Sequence, residues 1–184
     1  MSQPGILLLT GGTGSGKTMV LAEILRELGS SDIQIGGMLA PGRYLDSGEK
    51  EFDLELIPGG ERYFLSTRIQ YKGWEAIGGF RFNPEAVEAG LKHLLSLPVR
   101  VFELYLLDEI GPFELDDLLW ASAIPGLIKQ QVPMIWTVRQ RIIEQVCIKW
   151  KIDRPEIINL ESGKREEVLI KIRTWLKQNV QELS

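Results

Sequence analysis

The stretch 5-GILLLTGGTGSGKT-18 decides the fold. Its first half is an apolar run, Ile6 to Leu9, of the kind that forms a parallel strand buried on both faces. Three glycines lie among the next five residues, and a helical pattern then begins at Gly16-Lys17-Thr18. The stretch therefore predicts a strand, a tight glycine-rich turn and a helix in direct succession.

The fixed positions of this turn match the pattern G-x-x-x-x-G-K-[ST] of a phosphate-binding loop. Glycines let backbone N–H groups approach a polyphosphate without a Cβ in the way, and the start of a helix favours an anion. We expect Lys17 to reach the β and γ phosphates and the Thr18 hydroxyl to bind Mg²⁺. The competing interpretation is a glycine-rich turn that matches by chance. The predicted nucleotide contacts are Gly11, Gly12, Thr13, Gly14, Ser15, Gly16, Lys17 and Thr18.

Composition and charge argue against several classes of partner. The chain has 21 Lys+Arg and 25 Asp+Glu residues, a net charge of −4, and so lacks the basic field of most nucleic-acid-binding proteins. Its single cysteine, Cys147, cannot form an internal disulfide, which favours a reducing compartment. No apolar run approaches the roughly 18 residues of a membrane span, and the N-terminus carries no secretion signal. We therefore predict a cytoplasmic protein that binds neither nucleic acid nor membrane.

Strand and helix patterns alternate along most of the chain. This alternation predicts a three-layer α/β fold with a mostly parallel sheet, and the length of 184 residues predicts one domain, residues 1–184. The expected strands after the first are Ile33–Leu39, Val101–Leu107, Pro133–Val138 and Glu156–Leu160, and the expected helices include residues 17–28, Phe113–Ala121, Arg141–Lys151 and 164–182.

Residues 41–83 interrupt this alternation. They are rich in turn formers and hold two short β patterns, Phe52–Ile57 and Arg62–Leu65, on either side of Pro58-Gly59-Gly60. We interpret this segment as an inserted β-hairpin, at a point where a simple doubly wound fold would carry a helix. Its aromatic residues predict either an exposed patch for a protein partner or packing against the core.

The second informative stretch is Leu104–Glu109, an apolar strand that ends in two carboxylates. Ligands of parallel α/β folds bind at the carboxyl ends of the strands, so both carboxylates should face the phosphate site. We assign Asp108 to Mg²⁺, through a bound water, and Glu109 to the base that orients and deprotonates an attacking water. The competing interpretation is an acidic pair solvated at the surface.

Three further residues follow neighbouring strands. Thr137, near the end of the next strand, is predicted to sense the γ-phosphate or to hold the water, although threonine is also a common strand former. Arg139 and Arg43 are candidates to neutralise charge in the transition state, and a plain surface arginine is the competing interpretation for each.

With these residues together, the chain resembles the small nucleoside-triphosphatases of the thermophile type, whose vertebrate members are called cancer-related nucleoside-triphosphatases. The resemblance spans nearly the whole chain and is carried by GGTGSGKT, by Gly36-Gly37-Met38, by Arg165 and most specifically by the block from Asp108 to Leu115. It implies a P-loop fold with a RecA-like sheet, in which an extra strand separates the phosphate-loop strand from the Asp-Glu strand.

The resemblance also implies Mg²⁺-dependent hydrolysis of ATP, GTP or other nucleoside triphosphates, with Lys17, Thr18, Asp108 and Glu109 in the family's roles. This chain departs from the family's pattern at residues 40–43 and 162–166. Nucleotide contacts by Arg43, Arg139 and Arg165 therefore stay open.

Two other functions fit the same scaffold. A small-molecule kinase would need an acceptor pocket and an arginine-bearing lid, for which residues 62–81 are candidates. A nucleotide-gated binding module would use the aromatic residues of the insert as its contact surface. Phosphate release with nucleotide and Mg²⁺ alone favours the hydrolase, whereas turnover only after an acceptor is added favours the kinase.

Overall fold

A computed structural model describes residues 3–98 and 101–180 of the chain. The strands are β1 Ile6–Thr10, β2 Ile35–Leu39, β3 Gly42–Tyr44, β4 Lys50–Ile57, β5 Arg62–Thr67, β6 Glu75–Ile77, β7 Phe80–Phe82, β8 Leu104–Ile110, β9 Met134–Val138 and β10 Glu156–Asn159. The helices are α1 Lys17–Leu28, α2 Pro84–Ser96, α3 Pro112–Leu115, α4 Ile124–Lys129, α5 Ile143–Trp150 and α6 Arg165–Asn179, with a 3-10 turn at Gln140–Ile142.

Five parallel strands form the half of the sheet that carries the phosphate loop. Their order is β10-β1-β9-β8-β2, and each pairs in parallel with its neighbour. Strand β9 therefore lies between β1, which leads into the loop, and β8, which carries Asp108. This is the extra strand that the resemblance implied.

Helices cover both faces of this half of the sheet. Leu7 and Leu9 of β1 pack into one buried cluster with residues of α1 and α6, whereas Ile6 and Leu8 pack into a second cluster with residues of α2 and α5. A strand that is apolar at every position is expected where both faces are covered. The predicted three-layer α/β fold is confirmed.

The insert continues the main sheet instead of standing beside it. The predicted hairpin forms as β4 and β5, and β4 pairs antiparallel with β2. Strands β3, β6 and β7 of the insert were not predicted, because three residues are too few for an alternating pattern to be recognised. The insert therefore supplies an antiparallel half of the same sheet.

Two predicted segments differ from the structure. The expected helix Phe113–Ala121 is limited to the single turn of α3, because Asp117 and Leu119 have left-handed φ angles of 62° and 49° that no continuing helix tolerates. The last predicted helix ends at Asn179, and its residues 181 and 182 lie outside the described part of the chain.

Within residues 3–98 and 101–180, no helix combines the length and the apolar character that a membrane crossing needs.

A buried carboxyl group closes the turn that follows β8. Glu114 of α3 is 1% exposed, and its Oε2 accepts a hydrogen bond of 2.8 Å from the Gly111 N–H. Its Oε1 has no hydrogen-bond partner among the described residues. Burial raises the pKa of Glu114 to about 8, although the bond from Gly111 acts in the opposite direction. Glu114 is therefore largely protonated at neutral pH in the folded protein.

We predict that Glu114 makes the fold less stable as the pH rises from about 4.5 to about 8. Over this range the unfolded chain releases the carboxyl proton that the folded chain still holds, so rising pH favours unfolding. Glu114→Gln, which mimics the protonated acid, should flatten this dependence and raise the Tm at pH 8 by at least about 2–4 °C, the effect of about 1 kcal/mol in a domain of this size.

Thermal denaturation of both proteins across this pH range measures the effect. Glu88→Gln, which changes an exposed carboxylate on α2, is the matched control and should keep the wild-type slope. Parallel curves for Glu114→Gln and the wild type would show that Glu114 is charged in the folded protein.

Candidate active site

The residues between β1 and α1 form a loop that opens above the start of the helix. Gly14 and Gly16 have φ angles of +81° and +89°, in the left-handed region that glycine adopts without strain. A Cβ at Gly14 would meet no heavy atom within 4 Å, so the crest of the loop faces open space. Helix α1 begins at Lys17 without a side-chain cap or an acidic residue in its first turn. Its first N–H groups are therefore available to an anion.

The loop holds Lys17 through its own carbonyl groups. The Lys17 Nζ donates hydrogen bonds to the carbonyl oxygens of Gly11 at 3.0 Å and Gly12 at 2.9 Å, and the residue is 8% exposed. Burial lowers the pKa of Lys17, while the carboxylates of Glu109 and Asp108 oppose this shift. Lys17 is therefore a buried cation whose hydrogen-bond partners are neutral carbonyl groups.

Three hydrogen bonds fix the Asp108 carboxylate at the end of β8. Its Oδ2 accepts from the Ala40 N–H at 3.0 Å, and its Oδ1 accepts from the Glu109 N–H at 3.0 Å and from the Thr137 hydroxyl at 2.5 Å. Sequence reasoning missed the Ala40 contact, because a backbone N–H gives no sequence signal. Asp108 is 1% exposed and can move little once these contacts form.

The Thr137 hydroxyl joins both acidic residues. It donates its only proton to Asp108 and accepts a hydrogen bond of 2.7 Å from the Glu109 N–H. Thr137 is fully buried. A direct hydrogen bond to a phosphate oxygen would require the proton that Asp108 accepts, because phosphate oxygens can only accept.

Glu109 lies at a bulge with a left-handed backbone. Its φ angle is 57°, and the pairing of β8 with β9 shifts register between Leu107 and Ile110. A left-handed non-glycine residue costs about 1–3 kcal/mol, which surrounding contacts must offset. The two hydrogen bonds from the Glu109 N–H supply such contacts. They hold the backbone of Glu109 out of the regular strand conformation.

The Glu109 carboxylate lies in a mixed electrostatic environment. Burial and the neighbouring Asp108 charge raise the pKa of Glu109, whereas Arg139, Lys17 and Lys50 lower it. Thr137, whose hydroxyl accepts from the Glu109 N–H, pairs in register with Leu9 of β1, so only β9 separates this end of β8 from the strand that leads into the phosphate loop. Glu109 and Arg139 also line one partly open cavity.

Arg43 and Arg139 have different electrostatic surroundings. Arg43 donates to Glu51 at 3.0 Å and to Asp53 at 3.3 Å, so acidic residues of the insert already balance its charge. Arg139 has no ion pair with any residue in the described ranges and lines the same cavity as Glu109. Of these two, Arg139 retains a charge that a ligand can use.

The loop after β10 reaches the other side of the phosphate loop. The Glu161 carboxylate accepts a hydrogen bond of 3.2 Å from the Gly12 N–H, a contact that sequence reasoning missed. Arg165 pairs with Glu23 of α1 at 2.5 Å, and its Nη1 lies 3.9 Å from where a Cβ of Gly16 would be. Arg165 therefore lies beside the start of α1.

The oxygen atoms of Thr18 and Asp108 suit Mg²⁺. Thr18 is half-buried in the first turn of α1, and the Asp108 Oδ2, which accepts a single hydrogen bond, has a lone pair left for a cation. Within the part of the chain that the structure describes, no group of three or more His, Cys, Asp or Glu side chains could hold a metal ion. Mg²⁺ is usually held by one or two protein oxygens together with phosphate and water, so this sparse donor set fits it.

This chain is similar to known nucleoside-triphosphatases over most of its length. Residues 6–173 match the family model described as NTPase. The nucleoside-triphosphatase THEP1 of Methanopyrus kandleri is 22% identical over 181 residues, which cover 95% of this chain and 99% of that protein. The same-named protein of Sulfolobus acidocaldarius is 26% identical over 144 residues, 77% of this chain and 81% of that one.

A solved structure shares the fold. The crystal structure of THEP1 from the hyperthermophile Aquifex aeolicus has a TM-score of 0.69 to this chain at 18% identity, covering 91% of this chain and 96% of that one. The family model extends from the strand before the phosphate loop to the last helix and so includes every site residue described above. This chain is therefore a member of the NTPase family.

Proposed function

We propose that this chain is a Mg²⁺-dependent nucleoside-triphosphate phosphatase, which releases a nucleoside diphosphate and phosphate. The observation that carries the proposal is the register of the parallel strands. Thr137 of β9 pairs with Leu9, just before the phosphate loop, and its hydroxyl bonds to Asp108 and to the Glu109 N–H at the end of β8. Hydrolysis is also the activity in the names of the family members in Methanopyrus and Sulfolobus. ATP, GTP and other nucleoside triphosphates are all candidate substrates.

The loop and the start of α1 would bind the triphosphate. The predicted contacts are residues Gly11 to Thr18, with the Lys17 ammonium group that the Gly11 and Gly12 carbonyls hold above the loop. The Gly12 N–H, which donates to Glu161, would have to exchange that partner for a phosphate oxygen. Thr18 and Asp108 would hold Mg²⁺, which when bound neutralises charge on the phosphate oxygens. Binding an anion here also relieves the burial of an unneutralised lysine.

Glu109 would act as the general base. It takes a proton from a water, the water oxygen forms a bond to the γ-phosphorus, and the bond from that phosphorus to the bridging oxygen breaks. The raised pKa of Glu109 makes it a better proton acceptor than a solvated glutamate. Arg139 is placed to stabilise either the Glu109 carboxylate or the phosphate charge.

Thr137 fits the role of a positioning residue. Sequence reasoning predicted a contact with the γ-phosphate or the water, but its hydroxyl proton is donated to Asp108. By joining Asp108 to the Glu109 N–H, the Thr137 hydroxyl would keep the metal ligand and the base in a fixed relation. We propose this indirect role, and the contact with the γ-phosphate or the water stays a prediction.

We extend the proposal to the whole chain. The insert strands belong to the same sheet as β1, the strand before the phosphate loop, which supports a single domain over residues 1–184.

We also propose that the protein works in the reducing cytoplasm. Cys147 is partly buried, and this burial raises the pKa of its thiol, as expected for an inert cysteine.

A protein partner at the insert stays a prediction. Several of its aromatic rings contact one another or the core: Phe64 lies 4.8 Å from Trp74, and Phe82 lies 5.4 Å from Phe113, centroid to centroid. Tyr44, at 67% exposed, and Tyr71, at 47% exposed, are the rings of the insert most open to a partner. These ring contacts favour packing over a broad exposed patch.

Lys17→Ala should weaken nucleotide binding at least tenfold, because it removes the ammonium group that faces the phosphates. A tenfold change corresponds to about 1.4 kcal/mol. Titration with a fluorescent nucleoside triphosphate measures the Kd, and circular dichroism confirms that the variant is folded. Lys92→Ala, an exposed lysine on α2, is the control. Equal Kd values for Lys17→Ala and the wild type would remove the basis of the site.

Glu109→Gln should keep the nucleotide affinity and lose about 10²- to 10⁴-fold in kcat, the usual contribution of a general base. Steady-state phosphate release with Mg²⁺ and each common nucleoside triphosphate, without any acceptor, measures this effect and ranks the bases. Glu88→Gln serves as the control. A Glu109→Gln enzyme with the wild-type kcat would show that another group deprotonates the water.

A further inference from the structure

An open cleft lies between the phosphate loop and the first corner of the insert. Its volume is about 480 Å³, and Thr13, at the crest of the phosphate loop, forms one wall. The opposite wall comes from the insert and includes Tyr44, Glu49, Lys50 and Arg68. A residue on this wall therefore faces the place where a bound triphosphate would lie.

Lys50 is the first residue of β4, and neighbouring side chains of the insert pack against it. Its Nζ lies 4.6 Å from the centroid of the Phe52 ring and 5.7 Å from that of Tyr44. Gly42 of β3 makes room for its stem, because a Cβ there would lie 2.5 Å from the Lys50 Cε. The aliphatic stem is thus packed while the ammonium group sits on electron-rich ring faces.

The charge of Lys50 is not balanced by a neighbouring acid. No carboxylate oxygen within the described ranges lies within 4.0 Å of its Nζ, whereas Arg43 on the adjacent strand is paired with Glu51 and Asp53. Aromatic rings attract a cation without neutralising it. Acidic residues of the insert therefore neutralise Arg43, whereas the charge of Lys50 is available to a bound anion.

Lys50 also lies beside the cavity that Glu109 lines. The Phe52 ring, which lies 4.6 Å from the Lys50 Nζ, lines that cavity together with Glu109 and Arg139. Lys17 comes from the phosphate loop and Lys50 from the insert, so two different elements bring cations to this region. A γ-phosphate beside Glu109 would therefore lie within the field of both.

We propose that Lys50 is a further catalytic residue, whose ammonium group contacts the γ-phosphate and stabilises the negative charge on it during hydrolysis. This inference rests on the proposed function. The water oxygen bonds to the γ-phosphorus, the bond to the diphosphate breaks, and the proton of the water goes to Glu109. Lys50 keeps its protons throughout and acts by charge alone. The insert thereby supplies in the same chain the cation that other nucleoside-triphosphatases obtain from an arginine finger, where it contributes about 10³- to 10⁵-fold in kcat.

Lys50→Met tests this role, because methionine keeps the apolar stem on Phe52 and removes the charge. We expect kcat to fall by about 10²-fold or more while the Kd of the nucleoside triphosphate changes less than about threefold. Lys50→Arg should recover part of the loss. Lys92→Met makes the same substitution on α2 and should behave as the wild type. Lys50→Gln is a second charge-free variant should Lys50→Met melt at a lower temperature.

Binding of a transition-state mimic gives a readout that does not depend on turnover. A fluorescent nucleoside diphosphate should bind the wild type more tightly when Mg²⁺ and aluminium fluoride are added, because aluminium fluoride imitates the transferring phosphoryl group. Lys50→Met should bind the diphosphate alone as the wild type does and should lose most of this gain in affinity.

Three results would overturn the inference. The first is a Lys50→Met enzyme with wild-type kcat and the full aluminium fluoride gain. The second is a rise in the triphosphate Kd that accounts for the whole loss of kcat/KM, which would make Lys50 an ordinary binding residue. The third is a wild-type protein that releases no phosphate, which overturns the proposed function as well, whereas the first two leave that function intact.

Discussion

The hydrogen bonds among Asp108, Thr137 and Glu109 set the geometry on which the site depends. Strand β8 cannot end as a regular strand, because Glu109 has a left-handed φ angle and its N–H points at Asp108 and Thr137. Thr137 can make both contacts only because β9 lies directly beside β8. The strand order therefore determines where the acidic pair points, and the phosphate loop, on the next strand along, lies on the same edge.

Charges at this edge are arranged for a ligand that is itself highly charged. Lys17 is buried with carbonyl groups as its hydrogen-bond partners, Arg139 has no ion pair among the described residues, and Glu109 is held among them. In a partly desolvated site each of these groups interacts more strongly than it would in water. A triphosphate with Mg²⁺ would satisfy the cations, while Glu109 would be left to act on water. Burial raises the pKa of the nearby Glu114 to about 8, so this carboxyl group adds little negative charge at neutral pH.

Some residues of the candidate site could be predicted from the sequence and others could not. The phosphate loop and the Asp108-Glu109 pair were predictable, because glycine spacing and an apolar strand ending in acids are local patterns with a known place in parallel sheets. The hydrogen bonds of the Thr137 hydroxyl were not, since they depend on the register between β8 and β9. Lys50 gave no signal at all, because its position depends on how β3 and β4 bring Gly42 and Phe52 beneath its stem.

The insert links the fold to the chemistry. Its strands extend the sheet in the antiparallel sense from β2, and this places the corner between β3 and β4 opposite the crest of the phosphate loop. A crystal structure with Mg²⁺ and a non-hydrolysable nucleoside triphosphate would test the central claim most directly. The account predicts a metal ion between Thr18 and Asp108, the Lys17 ammonium group on the phosphates, and a water held by Glu109 in line with the γ-phosphorus. A triphosphate bound away from the loop, or a Glu109 carboxylate turned away from the γ-phosphate, would contradict it.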